Sequence, residues 1–337
     1  MSDMNISLRA IAYLEPDEFI SSDQIEKDLA PVYDRLKLPY GRIQMQTGID
    51  FRGMFNDKKP SDISIGAAKN LFSKNSIKPE EIDLLVHASV CRDFLEPSTA
   101  SLIHHGLGLR ADCLSFDLSN ACLGVVTSLM TAADMINSGR IKNALIVTGE
   151  NAKPLLTKTI ETLLGDKTIT RKSIKKYFAN FTIGSAGVAI VVTKKTQGLP
   201  LIHSATSLSD TASHMLCQGD GSTDSLVMET DSEELMQRGI ALAKTNWTNY
   251  RQTNKKEIDH YICHQVGIHH RNFLYKSLEL DLSKDHTSFD RYGNTGSAAL
   301  PLTLALGAAQ EKFKKGDEIA LLGIGSGLHT QMLGVTW

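Results

Sequence analysis

Glu81-Ile82-Asp83-Leu84-Leu85-Val86 recurs as Glu257-Ile258-Asp259-His260-Tyr261-Ile262, at an offset of 176 residues (257 − 81). Ala144-Leu145-Ile146-Val147-Thr148-Gly149 recurs at the same offset as Ala320-Leu321-Leu322-Gly323-Ile324-Gly325. Each copy is an apolar run of strand length with a helical pattern upstream. Two matches at one offset imply two fused copies of one α/β unit, since the period is too long for a solenoid. The expected division is an N-terminal half over residues 1–193 and a C-terminal half over 194–337. The first half carries an insertion at about 151–180.

The other elements follow from periodicity and end signals. Ile6-Ser7-Leu8-Arg9-Ala10 alternates and predicts an opening strand. Ser21-Ser22-Asp23 caps a helix that runs to Leu36, kinked at Pro31. Residues 40–55 contain Thr47-Gly48-Ile49, have little pattern and read as a surface loop. Lys59-Pro60-Ser61-Asp62 opens a helix, and residues 84–90 read as a strand. A loop over 90–97 and a helix over 98–107 follow. Cys113-Leu114-Ser115-Phe116 is a short strand, and 125–136 has helical spacing that ends at Gly139. Residues 194–232 read as loop-rich, with an exposed stretch Gln218-Gly219-Asp220-Gly221-Ser222.

Between that strand and helix lies Asp117-Leu118-Ser119-Asn120-Ala121-Cys122-Leu123-Gly124. A thiol at a helix start meets unpaired N–H groups and the positive end of the helix dipole, and both favour thiolate. Cys122 therefore reads either as a nucleophile or as a small buried hydrophobe. The offset supplies its partners. Position 122 maps to Ala298, inside Tyr292-Gly293-Asn294-Thr295-Gly296-Ser297-Ala298, and His264 directly follows the repeated strand in Cys263-His264-Gln265. If the halves pack about a pseudo-twofold axis, Cys122, His264 and Asn294 surround one point at the strand ends, where α/β sheets place ligands. Taken singly, His264 also suits a core histidine, and Asn294 a turn. Together they make an acyl-transfer kit: a thiolate to be acylated, and imidazole and amide donors for an enolate oxygen. Gly323-Ile324-Gly325-Ser326-Gly327 allows close backbone approach, so its N–H groups with that of Cys122 could form a second oxyanion hole.

The bulk numbers narrow the class. The chain has 337 residues, 42% hydrophobic and 22% charged, and a formal net charge of −2. This is globular composition without a nucleic-acid footprint. No apolar run approaches the roughly 20 residues of a membrane span, and Met1-Ser2-Asp3-Met4 lacks a signal-peptide layout. Cys91, Cys113, Cys122, Cys217 and Cys263 are odd in number and form no CxxC pair. The expectation is no metal site, no disulfide framework, and a reducing, cytoplasmic setting. The insertion carries Lys172, Lys175 and Lys176. It reads either as a solvated helical segment or as a basic collar for an anionic ligand.

These motifs resemble the thiolase superfamily, in its ketoacyl-acyl-carrier-protein synthase III branch. The resemblance rests on Thr47-Gly48-Ile49, Ser119-Asn120-Ala121-Cys122-Leu123-Gly124, Cys263-His264-Gln265, Gly293-Asn294-Thr295-Gly296-Ser297 and Gly323-Ile324-Gly325-Ser326-Gly327, which span nearly the whole chain. It implies a duplicated five-layered α-β-α-β-α fold, a homodimer, and Cys122, His264 and Asn294 as the catalytic residues. Synthase III enzymes usually have an apolar aromatic residue before the proline of the 90–97 loop; here Glu96 precedes Pro97. This is similar to the acyl-CoA condensing enzymes of olefin biosynthesis, in which a glutamate from the neighbouring subunit acts as base. Gln46 stands where the synthase III enzymes carry arginine before Thr-Gly-Ile, so their coenzyme A contacts there do not carry over.

The resemblance implies an acyltransferase that joins two fatty acyl-CoA thioesters by non-decarboxylative Claisen condensation, giving a 2-alkyl-3-ketoacyl product. Coenzyme A thioesters are substrates, no cofactor is required, and acyl carrier protein is a possible alternative donor. Removing a proton from an unactivated α-carbon needs a base, and a carboxylate in a desolvated pocket is a good one. On this reading the Ser326 N–H joins that of Cys122 in the oxyanion hole, and Lys172, Lys175 and Lys176 contact coenzyme A phosphates. The alternative is a decarboxylating 3-oxoacyl synthase III with a malonyl donor. A papain-like hydrolase shares the order Cys, His, Asn, but the duplication and the mid-chain cysteine argue against it. A non-catalytic partner subunit is disfavoured by the intact triad.

Overall fold

The computed structural model describes residues 3–219 and 228–337. Up to Lys194 the elements are β1 (Asp3–Leu14), β2 (Glu18–Ser21), α1 (Ser22–Asp28), α2 (Ala30–Leu36), α3 (Arg42–Thr47), β3 (Phe51–Met54) and α4 (Pro60–Asn75). They continue as β4 (Leu84–His87), α5 (Thr99–Leu107), β5 (Leu114–Asp117), α6 (Gly124–Asn137), β6 (Asn143–Glu150), α7 (Lys153–Gly165) and β7 (Ala186–Lys194). From Leu201 onward come β8 (Leu201–Ser209), β9 (Cys217–Gly219), β10 (Met228–Thr230), α8 (Ser232–Thr253) and β11 (His260–Cys263). The chain closes with α9 (Ile268–Leu278), α10 (Phe289–Tyr292), α11 (Ala299–Ala309), β12 (Glu318–Gly325) and β13 (His329–Thr336).

The strand order is β11-β12-β13-β8-β1-β7-β6-β4-β5. β4 and β6 are parallel, and β7 and β1 are added antiparallel. β11 and β12 are likewise parallel, with β13 and β8 antiparallel. The two sets meet where β1 pairs with β8.

Residues alternate between two buried faces along the repeated strands, so these strands read as continuous apolar runs. Leu84, Val86 and Ile146 face an inner core with Ile319, Leu321 and Leu333 of the other set. Val125, Leu129 and Ala133 of α6 and Leu300 and Leu304 of α11 fill the space between. Leu85, Leu145 and Val147 face outward onto Ala68 and Leu71 of α4 and Ile103 of α5. Cys263, Ala320 and Leu322 face outward onto Ala243 of α8 and Leu274 of α9. The result is five layers, α-β-α-β-α, as the resemblance implied. Each fully buried Leu or Ile contributes about 1.5–3 kcal/mol of transfer free energy.

Four expectations need correction. The helix expected to kink at Pro31 is two helices, broken at Leu29, with Pro31 in the first turn of α2. Residues 40–55 are not a loop but contain α3 and β3; the buried Glu26 carboxylate accepts from the Gly41 and Ile43 N–H groups and so caps α3 from a distant helix. The strand expected over 84–90 stops at His87. Residues 194–232 hold β8, a core strand between β1 and β13. Within the expected exposed stretch, Gln218 and Gly219 lie in β9, whereas Asp220, Gly221 and Ser222 fall outside the described residues.

The insertion is packed rather than merely solvated. Leu156, Leu163, Ile174 and Phe181 form a separate core with Ile25, Leu29, Val32 and Ile43. Arg35 donates to the Lys167 and Ile169 carbonyls at 3.1 and 2.7 Å, and Arg171 to the Leu36 and Lys37 carbonyls.

Candidate active site

β5 ends at Asp117, and the chain turns through 118–123 into α6. Ala121 holds a left-handed φ of +45°, a conformation that costs a non-glycine residue energy and sharply redirects the chain into Cys122. The Leu123 N–H donates to the Asn120 carbonyl at 2.9 Å, which closes the corner. Asn120 donates to Thr127 Oγ1 at 2.8 Å, and Thr127 to Gln331 of β13 at 2.9 Å, so the corner is tied to the opposite half.

The other candidate groups arrive from that half. The end of β12 lies against the corner: a Cβ built on Gly325 would sit 3.0 Å from Leu123 Cγ and 3.6 Å from the Cys122 amide nitrogen. A methyl group there would press on the Leu123 side chain, and Ser326 is the next residue. His264 extends β11, its N–H donating to the Leu322 carbonyl at 3.0 Å. Gln265 accepts from the Ser288 N–H at 2.9 Å and holds the loop leading to Asn294. The Asn294 N–H donates to Thr182 O at 2.7 Å, and its own carbonyl accepts from the Gly184 N–H at 2.9 Å. Ser297 then accepts from the Val125 N–H at 3.1 Å and donates to Ala88 O at 2.6 Å, which seats the Asn294 loop on the start of α6. Cys122, His264, Asn294 and Ser326 thus share one strand-end face.

Electrostatics corrects one expectation. The helix start was expected to favour thiolate, but α6 begins two residues after Cys122, and burial pushes the Cys122 thiol up to about 12. The nearby Glu150 carboxylate adds to the rise, followed by Cys217. His264 is lowered to about 3 by burial and then by His270, whose ring stands 6.1 Å away at 89°. It is therefore a neutral imidazole with one N–H to donate.

Glu96 does not join this cluster in the single chain. It lies on an exposed loop beside Leu95, 86% exposed, and Phe94, 47% exposed. Lys172 and Lys175 are exposed, whereas Lys176 is engaged by Glu229 and lies over the Tyr177 ring at 5.0 Å. Among the described residues, no group of three or more His, Cys, Asp or Glu side chains has metal-binding geometry. No helix among them is long and apolar enough to cross a membrane.

Sequence reading missed Glu150. It ends β6, is 4% exposed, and accepts from the Val90 N–H at 2.9 Å, the Cys91 N–H at 3.1 Å and the Ser297 N–H at 3.3 Å. Its only signal in the sequence is a charge at the end of an apolar strand.

Residues 53–259 match the family model described as FAE1/Type III polyketide synthase-like protein. Residues 249–337 match the 3-oxoacyl-[acyl-carrier-protein] synthase III C-terminal model. The chain is 33% identical to an acyl-CoA:acyl-CoA alkyltransferase of Shewanella oneidensis, with all of both chains covered. It is 34% identical to the enzyme of that name from Xanthomonas campestris pv. campestris, with 99% of each covered. A crystal structure of Xanthomonas campestris OleA with one cysteine replaced by alanine superposes with a TM-score of 0.95, at 33% identity, covering 100% of this chain and 98% of that one. Further crystal structures of that OleA carry substitutions of one histidine and one glutamate, and a serine variant at the cysteine holds lauric acid and lauroyl-CoA.

Fold and matches together define the class: an acyltransferase that condenses acyl groups. The chain belongs to the thiolase superfamily, in the ketoacyl-acyl-carrier-protein synthase III-like branch that includes the acyl-CoA:acyl-CoA alkyltransferases.

Proposed function

We propose that the chain joins two fatty acyl-CoA thioesters head to head, without decarboxylation, through an acyl-Cys122 intermediate. Glu96 carries this reading: a carboxylate on an exposed, apolar loop, in a protein whose relatives are acyl-CoA:acyl-CoA alkyltransferases. In the OleA variants, the substituted glutamate precedes the substituted cysteine by as many positions as Glu96 precedes Cys122. The substituted histidine follows that cysteine by as many positions as His264 follows Cys122.

Cys122 Sγ attacks the first thioester. The new S–C bond replaces the C–S bond to coenzyme A, and the thiol proton leaves on the coenzyme A sulfur. The second acyl-CoA binds with its carbonyl oxygen on His264 and the Asn294 amide. Glu96 of the partner subunit takes the α-proton, and the enolate charge falls on those two donors. The α-carbon then attacks the acyl-Cys122 carbonyl, whose oxyanion rests on the Cys122 and Ser326 N–H groups. The C–S bond breaks, and Cys122 recovers its proton from Glu96. The released 2-alkyl-3-ketoacyl thioester is hydrolysed to the 3-keto acid.

The working unit is a homodimer, which gives Glu96 a site to enter. The chain divides at residues 193 and 194, with Cys122 and the insertion in the first half and His264 and Asn294 in the second. Lys172 and Lys175 contact coenzyme A phosphates; Lys176, paired with Glu229, contributes less. The five free thiols suit the cytoplasm, where coenzyme A thioesters are made. Incubating the pure protein with one long-chain acyl-CoA and no malonyl donor tests the reaction. A 3-keto acid or its ketone is the expected product. Condensation only after adding a malonyl thioester would sink the proposal, and parallel runs with acyl-carrier-protein donors separate the two carriers.

A further inference from the structure

Glu150 is a buried carboxylate to which the mechanism above gives no part. No Lys, Arg or His side chain pairs with it among the described residues; three backbone N–H groups hold it instead. Two of them, from Val90 and Cys91, open the loop that carries Glu96. The third belongs to Ser297, three residues beyond Asn294. A Cβ built on Gly296 would lie 3.3 Å from the same carboxylate oxygen, so the Asn294 loop is pressed against it.

We infer that Glu150 is a positioning residue that fixes the Glu96 loop to the Asn294 loop. Through it, one protomer's oxyanion donor is held in register with the base that the same protomer lends to its partner. The inference rests on the proposed role of Glu96. Among the described residues the loop has other anchors, but none that it shares with the Asn294 loop. Asp93 accepts from the Ser61 N–H at 2.9 Å, and Asp117 accepts from the Thr99 and Ala100 N–H groups at 2.8 and 2.7 Å. Glu150 alone of these carboxylates binds both loops.

Its charge gives a second handle. Glu150 is near enough to Cys122 to raise the thiol. The titratable groups around the pair are His87 from β4, Cys91 from the loop, Cys122 from the corner and Cys217 from β9. None of these is a strong cation, and burial raises Glu150 itself, so it bears on the thiol as a charge only once it has ionised.

Glu150→Gln keeps the shape, removes the charge and turns an amide N–H₂ toward one of the backbone donors. Condensation in this variant should fall about ten- to hundredfold, the worth of one charge-assisted hydrogen bond. The burst of coenzyme A release that reports Cys122 acylation should persist, and the pH profile of Cys122 alkylation by iodoacetamide should move to lower pH. Glu150→Asp keeps the charge on a shorter stem, so its alkylation profile should return toward the wild type while condensation stays low. Wild-type condensation in Glu150→Gln would overturn the inference, as would an alkylation profile that does not move. Glu96→Ala, run alongside, separates this from the parent reading: full turnover there removes Glu96 as base, while a shifted Cys122 profile in Glu150→Gln would still stand.

Discussion

His270, in the first turn of α9, is the residue through which pH acts most directly on this site. Burial lowers it to about 4, and it stands edge-on to His264, lowered to about 3. The unfolded chain protonates each histidine near the ordinary value of about 6.5, whereas the folded protein keeps both neutral well below that. Between those limits the unfolded state binds more protons. Stability is therefore complete above about pH 6.5 and falls as the pH drops toward 4, by up to about 1.4 kcal/mol per pH unit for each histidine. Urea unfolding at pH 7 and pH 5 should show a smaller acid loss for His270→Leu than for the wild type; parallel losses would refute the assignment. At this scale the placement of the candidate groups was largely legible. Cys122, His264, Asn294 and Ser326 sit in short motifs of glycine, asparagine and strand ends, which local chemistry marks. Glu150 was not legible, because its partners lie 60 and 147 positions away in the chain.

Elements were legible where their signal is local and hidden where it comes from a distance. The repeated strands are apolar on both faces and announce themselves. α3 does not, since its cap is Glu26 from another helix. β8 reads as polar because it carries His203, Ser204 and Thr206: His203 stands 2.7 Å from Glu318, while the Ser204 and Thr206 hydroxyls are buried without a hydrogen-bond partner among the described residues. The turn leading into β7 shows how a connection between elements can set the chemistry. A Cβ on Gly184 would fall 1.8 Å from the Tyr292 carbonyl oxygen, and the Gly184 N–H holds the Asn294 carbonyl. Gly184→Ala must therefore push the Asn294 loop away. A displacement of about 1 Å at a donor can cost a hundredfold in rate. Condensation should fall by about that factor, with less effect on the coenzyme A burst from Cys122. Equal loss in both steps would mean general unfolding rather than displacement of Asn294.

For the whole molecule, the exposed loop argues for a second copy. Val90, Phe94 and Leu95 are 51%, 47% and 86% exposed, an apolar cluster that a lone soluble chain would do better to cover. On the proposed reading, a twofold dimer would have each chain lend this loop to its neighbour, since a twofold interface uses the same surface on both subunits. Cys122→Ala and Glu96→Ala should each be inactive as homodimers, for different reasons: the first cannot be acylated, and the second has no base to lend. Mixed dimers should regain one working site, formed by Cys122 of the Glu96→Ala chain and Glu96 of the Cys122→Ala chain. After equal amounts are unfolded and refolded together, half of the dimers are mixed and each has one good site of two, so about one quarter of wild-type condensation should return. If Glu96 instead served its own chain, every site in the mixture would lack either nucleophile or base. The mixture would then stay as dead as its parts, and the base would not be shared between subunits.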